Sequence, residues 1–143
     1  MTANLRQTDR GDTELSGMDG NGYGFIPAHL RWDAGSVATH VIFVADRAYR
    51  IKAATARVEV AGTDAGAVTA TIYHTPSGTA MASGTAIHSG TINLKGTAAT
   101  NQVLTLSTTD STLNLAAGDA IGVVFTGTLT SAAGGLTVTM TPR

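Results

Sequence analysis

The residues of this chain that could do chemistry are few, and their spacing sets most of them aside. Its four histidines, His29, His40, His74 and His88, stand at no spacing that a metal site uses. His40 lies within an apolar run and reads as a hydrogen-bonded core or interface residue. The string Asp19-Gly20-Asn21-Gly22-Tyr23-Gly24-Phe25-Ile26 starts like a calcium loop. It then puts Tyr23 at the fifth position and Leu30 at the twelfth, where a carboxylate and a bidentate Glu are needed. No metal and no cofactor are expected. The chain has no cysteine, hence no thiol nucleophile, disulfide or thiolate zinc site. It also has no Gly-x-Ser-x-Gly elbow to present a serine. Spacing alone leaves a pair of carboxylates for glycoside hydrolysis open among Glu14, Glu59, Asp33, Asp46, Asp64, Asp110 and Asp119. Several of these aspartates occupy turn positions, where Asp bonds the local backbone. The expectation is a protein that binds and does not catalyse.

The binding candidates gather near the start. Three of the seven aromatics, Tyr23, Phe25 and Trp32, fall in the first 35 residues, with Arg31 beside the last. Trp, Tyr and Arg supply most of the energy at protein interfaces. Tyr23, Phe25, Arg31 and Trp32 are therefore the expected partner-binding residues. For Trp32 a second reading stands beside this one, in which the indole plugs one end of the core.

These residues must be carried by strands. Val37–Val44 is almost continuously apolar and reads as a strand covered on both faces. Tyr49–Val60 alternates but changes its apolar parity midway, which calls for a bulge, or two short strands, near Ala53-Ala54. Val68–Tyr73, Ala86–Leu94 with an internal Gly90, Gln102–Leu106, Ala120–Thr126 and Leu136–Met140 follow, separated by turns rich in Gly, Pro, Asp and Ser. Gly134-Gly135 reads as the lead-in to the last strand. About eight short strands, with no helical periodicity, predict an all-β antiparallel β-sandwich. Residues 1–35 show no period and are expected to be an extended N-terminal arm, leaving residues 36–143 as the sandwich domain.

Composition narrows the partners. Charged residues make up 13% of the chain, against roughly 25% in an average soluble domain. Beyond Arg57 only Lys95 and Arg143 are basic, and Thr, Ala and Gly dominate. Such a surface lets neighbours approach closely, as in an assembly. A net charge of −1 gives no drive toward nucleic acid or an anionic membrane. No apolar run is long enough to span a bilayer, and the first residues lack a signal-peptide core.

Two stretches carry a resemblance. Ile72-Tyr73-His74-Thr75-Pro76-Ser77-Gly78-Thr79-Ala80-Met81-Ala82-Ser83-Gly84-Thr85 resembles the strand-and-turn pattern of bacteriophage virion proteins with jelly-roll-like sandwiches. Leu113-Asn114-Leu115-Ala116-Ala117-Gly118-Asp119-Ala120-Ile121-Gly122-Val123-Val124-Phe125 is similar to a hairpin common in the same group. Capsid decoration (cement) proteins of tailed bacteriophages belong to it. The resemblance spans about residues 49–141 and brings no catalytic residues. It implies a jelly-roll-like homotrimer that decorates and stabilises a capsid by binding the major capsid protein lattice near local threefold sites. Its place would be the outer surface of the virion, after assembly in the host cytoplasm. The alternative is a glycan- or receptor-binding module of a phage tail or surface fibre. The sandwich is poor in aromatics that could stack on sugars, which favours the structural role.

Overall fold

The computed structural model describes residues 24–143. Ten strands build two five-stranded antiparallel sheets. The first sheet joins β1 (Ile26–Trp32), β10 (Ala133–Pro142), β3 (Tyr49–Val60) and β7 (Thr100–Val103) in that order, with β8 (Asn114–Leu115) also on β3. The second joins β2 (Thr39–Val44), β9 (Ala120–Thr126), β4 (Thr69–Thr75) and β5 (Thr85–Ala86), with β6 (Ile92–Asn93) also on β4. Taking β5 with β6 and β7 with β8 as broken single strands leaves eight strand positions. The chain passes between the sheets in the order of a jelly roll, so the expected all-β sandwich is the observed fold.

Alternation drives the packing. Ile51, Val58, Ile72, Val123, Leu136, Val138 and Met140 face the space between the sheets and are buried there, while Thr55, Arg57, Thr71 and Thr137 on the same strands face outward. The expected bulge in β3 is present, with Lys52 as the extra residue between the pairs Ala53–Thr139 and Ile51–Met140.

Several elements differ from expectation. The strand expected over Val37–Val44 with both faces covered is the edge strand β2, and Val37, Val41 and Val44 are exposed. The strand expected over Gln102–Leu106 is β7, Thr100–Val103. The chain from Ala86 to Leu94 is not one strand, because Gly90 turns it at a φ of 68° between β5 and β6. A single helical turn, α1 (Asp110–Leu113), lies where no helix was expected. Most important, Ile26–Trp32 is not arm. It pairs along its whole length with β10 and forms the edge of the first sheet, so the sandwich starts ten residues before the expected boundary at residue 36. Inside that strand Ala28 and Trp32 are buried and Ile26 and Leu30 half-buried, while Phe25, Pro27, His29 and Arg31 are exposed. Pro27 is compatible with pairing because β1 has a neighbour on one side only.

Candidate functional site

The outer face of the first sheet collects the residues best placed to meet a partner. Its strands align side chains into rows. One row runs Arg31, Gly135, Arg57, Asn101 across β1, β10, β3 and β7. The next, two residues along, runs His29, Thr137, Thr55, Val103. Gly135 has no side chain, so the two arginines flank a trough of about 470 Å³, with His29, Thr55 and Thr137 along it.

The two arginines differ. Arg57 is held by Glu59, Nε to Oε1 at 2.9 Å, and donates from Nη1 to Asn101 Oδ1 at 3.2 Å. Arg31 makes no hydrogen bond or ion pair among the described residues. The bulge adds Lys52, exposed, to the same strand. Glu59 is the acidic residue within the trough. This is a threonine-lined surface with two guanidiniums as donors; it suits the capture of an anion.

The expected partner-binding residues part company here. Arg31 lines the trough. Phe25 is 64% exposed, just ahead of β1, and continues its outward parity. Tyr23 lies outside the described residues, as do positions 19–23 of the calcium-like string. Trp32 is 2% exposed and packs against Phe125 with ring centroids 6.0 Å apart. It offers no surface to a partner, and of its two sequence readings the core one describes its place. His29, Arg57 and Gly135 were missed as site residues. The signal that could have found them is the alternation of 25–32, from which the outward parity of His29 and Arg31 follows.

A second polar cluster sits at the end of the sandwich. His74 on β4 is hydrogen-bonded through Nε2 with Asp119 Oδ2 at 2.8 Å and through Nδ1 with the Thr112 carbonyl oxygen at 2.9 Å, while Ala116 N–H donates to the same Asp119 oxygen at 2.9 Å. Burial resists ionisation of Asp119, but the Ala116 N–H, the His74 hydrogen bond and the His74 charge outweigh it and hold the carboxyl below its ordinary range. A His–Asp pair suggests a catalytic relay. Here both ring nitrogens are engaged, so neither is left to take a proton from a nucleophile. The cluster is a clasp that ties β4 to α1 and to the turn before β9. His88 is likewise used up, accepting Ile72 N–H at Nε2 (3.1 Å) and donating from Nδ1 to the Ser89 carbonyl (3.1 Å). His40 stands edge-on to Phe125, 6.0 Å between centroids. Among the described residues no group of three or more His, Asp or Glu could hold a metal ion.

No protein-family model and no curated protein matches the chain. Its fold has a counterpart in a phage capsid. A chain of the cyanophage Pam1 capsid asymmetric unit superposes with a TM-score of 0.50 at 13% identity, over 83% of this chain and 84% of that one. At that identity the likeness is one of fold. Two weaker likenesses carry no argument. One is to a chain from Bacillus endospore appendages, disulfide-linked pili (TM-score 0.32, 18% identity, 81% and 83% of the two chains). The other is to infectious bursal disease virus, Gx strain (TM-score 0.35, 22% identity, 80% of this chain and 31% of that one).

Proposed function

We propose that this chain is a structural protein of a bacteriophage virion that decorates the assembled capsid. It binds the outer surface of the major capsid protein lattice near local threefold sites, as a homotrimer, having assembled in the host cytoplasm. The observation that carries the reading is the fold shared with a phage capsid chain along most of both lengths. The functional geometry agrees with it: the polar clusters are used up in holding loops, and the exposed sheet face is equipped to bind. Decoration needs no chemistry. A protein that binds only the closed shell shifts the equilibrium against its disruption by mass action. Jelly rolls also serve as lectins, but a sugar site wants exposed aromatics on a rigid face. Trp32, Tyr49 and Phe125 are buried, and Phe25, ahead of β1, is the largely exposed aromatic among the described residues; one exposed ring favours the structural role over the glycan-binding one.

The test is sedimentation of the purified protein with undecorated shells, alongside its mass by light scattering. Binding in the shell fraction and a mass of three chains are expected. A protein that stays in the supernatant, or a mass of 14.5 kDa at micromolar concentration, would count against lattice binding and the trimer respectively.

A further inference from the structure

The trough on the first sheet has the chemistry to name what it binds. Arg31 and Arg57 stand on strands either side of β10, so their backbones are about 9–10 Å apart with only Gly135 between them. A guanidinium carries five N–H donors. Those of Arg31 meet no acceptor among the described residues, and Arg57 commits Nε to Glu59 and Nη1 to Asn101. The fork of free N–H groups matches a carboxylate, which Arg binds in two parallel hydrogen bonds. Thr55 and Thr137 along the trough add hydroxyls that serve as donor or acceptor to a backbone lying in it.

We propose that this trough is a carboxylate-binding cleft that seats an acidic segment of a partner protein, with Arg31 and Arg57 gripping Asp or Glu side chains from its two sides. Charge complementarity sets the occupant. The cleft sets Arg31 and Arg57 against the single acid Glu59, and its strand β3 adds the exposed Lys52. A nucleic acid is the poorer fit. Its binding gains with each phosphate neutralised along a track, whereas this cleft offers two guanidiniums with Glu59 at hand to repel a phosphate chain. The proposal rests on the decoration reading, in which the partner is the capsid shell, and names the face by which this chain docks.

Two probes separate the cleft from that reading: undecorated shells, and a free synthetic peptide of alternating Glu and Ala. With 15N-labelled protein, the peptide is expected to shift the Gly135 amide and the Arg31 and Arg57 Nε signals. Raising salt should weaken its binding. Arg31→Ala with Arg57→Ala should weaken it at least about tenfold, as expected for hydrogen bonds to charged groups. Glu59→Gln should strengthen it, and Arg47→Ala, at the far turn between β2 and β3, should leave it unchanged. Should Arg57→Ala unfold the protein, Arg31→Ala alone, with no partner to lose among the described residues, keeps the test.

Peptide binding that ignores Arg31 and Arg57 overturns the cleft, as does tighter binding of a single-stranded oligonucleotide than of the peptide. If wild-type protein binds shells and the double variant binds them equally well, the cleft is wrong and decoration stands. If wild-type protein ignores shells but takes the peptide through Arg31 and Arg57, decoration is wrong and the cleft stands.

Discussion

Replacing Trp32 by Ala should unfold the protein more readily and should not act first on its attachment to a partner. The indole is 2% exposed. It lies over the backbone of Gly134, so closely that a Cβ built there would stand 2.5 Å from its Cζ2 carbon, and it meets Phe125 of the opposite sheet at a tilt of 59°. Truncation leaves a void that neither neighbour can fill. Gly134 has no side chain to swing in, and β10 is held on both sides by β1 and β3. Trp-to-Ala changes in such sites cost about 3–5 kcal/mol. At roughly 3–5 °C per kcal/mol for a domain of this size, the melting temperature should fall by about 10–20 °C. The buried Nε1–H refines the figure, because it has no hydrogen-bond partner among the described residues. An unsatisfied buried donor costs about 1–3 kcal/mol. Trp32→Phe removes that cost with the group, and should lose less than half of what Trp32→Ala loses. Circular-dichroism melts of the three proteins, followed by shell binding of the folded variants at low temperature, read both quantities. A Trp32→Ala protein that melts within about 2 °C of wild type but no longer binds shells would refute the packing argument. A Trp32→Phe protein as unstable as Trp32→Ala would refute the role given to Nε1.

Three further outcomes follow from the same contacts. Gly134→Ala should fail to fold or lose several kcal/mol, since the new methyl collides with the Arg57 carbonyl and the Trp32 indole, whereas Gly135→Ala, whose nearest contact is the Leu30 carbonyl at 3.2 Å, should melt close to wild type. A chain beginning at Gly24 keeps every described contact and should fold, while deleting residues 1–34 removes β1 with Trp32 and should leave no cooperative melt. The depressed Asp119 pKa makes its contribution to stability complete above the unfolded value near about 3.9, and that contribution drains away as pH falls through the folded value. Asp119→Asn should therefore cost about 1–2 kcal/mol at neutral pH and flatten the loss of stability below about pH 4, both measured by urea titration at several pH values; an unchanged acid slope would exclude the clasp.

The strands that alternate strongly were readable from the sequence, and so was the turn at Gly118-Asp119, where Gly118 takes a φ of 90° and Asp119 N–H bonds the Ala116 carbonyl. The turn does not close the expected hairpin, because β8 pairs with β3 in the first sheet and β9 with β2 and β4 in the second. The bulge in β3 was readable to within a residue or two from the change of apolar parity, and continuous pairing with β10 is what makes Tyr49–Val60 one bulged strand and not two short ones. Strand β1 was hidden by its own residues. Ile26, Ala28, Leu30 and Trp32 alternate with Phe25, Pro27, His29 and Arg31, but Pro27 in the middle and the glycines before it read as breakers. Only the knowledge that this is an edge strand makes the proline harmless. Gly134-Gly135 misled for a different reason. A Gly pair normally marks a turn; here both lie within β10, one making room for Trp32 and the other opening the trough. Those needs arise from residues distant in sequence, and no local pattern holds them. The trough was illegible on the same ground, since Arg31 and Arg57 become neighbours only when β1 and β3 both pair with β10.

That pairing also explains how the folding residue and the binding residue come to be adjacent. In a strand, successive side chains face opposite ways, so Trp32 enters the core and Arg31 faces the trough. A one-residue slip of β1 against β10 would exchange them, exposing the indole and burying a guanidinium without a partner. The slip is blocked by shape as well as by charge, because the indole fits only where β10 lacks a side chain and Gly134 is the inward-facing position that does. Trp32 thereby fixes Arg31 opposite Gly135, within reach of what Arg57 binds from the other side. Substitutions at 31 and 32 should accordingly separate binding from folding, with Arg31→Ala silent in the melt and Trp32→Ala felt in both, the second effect following from the first through lost register.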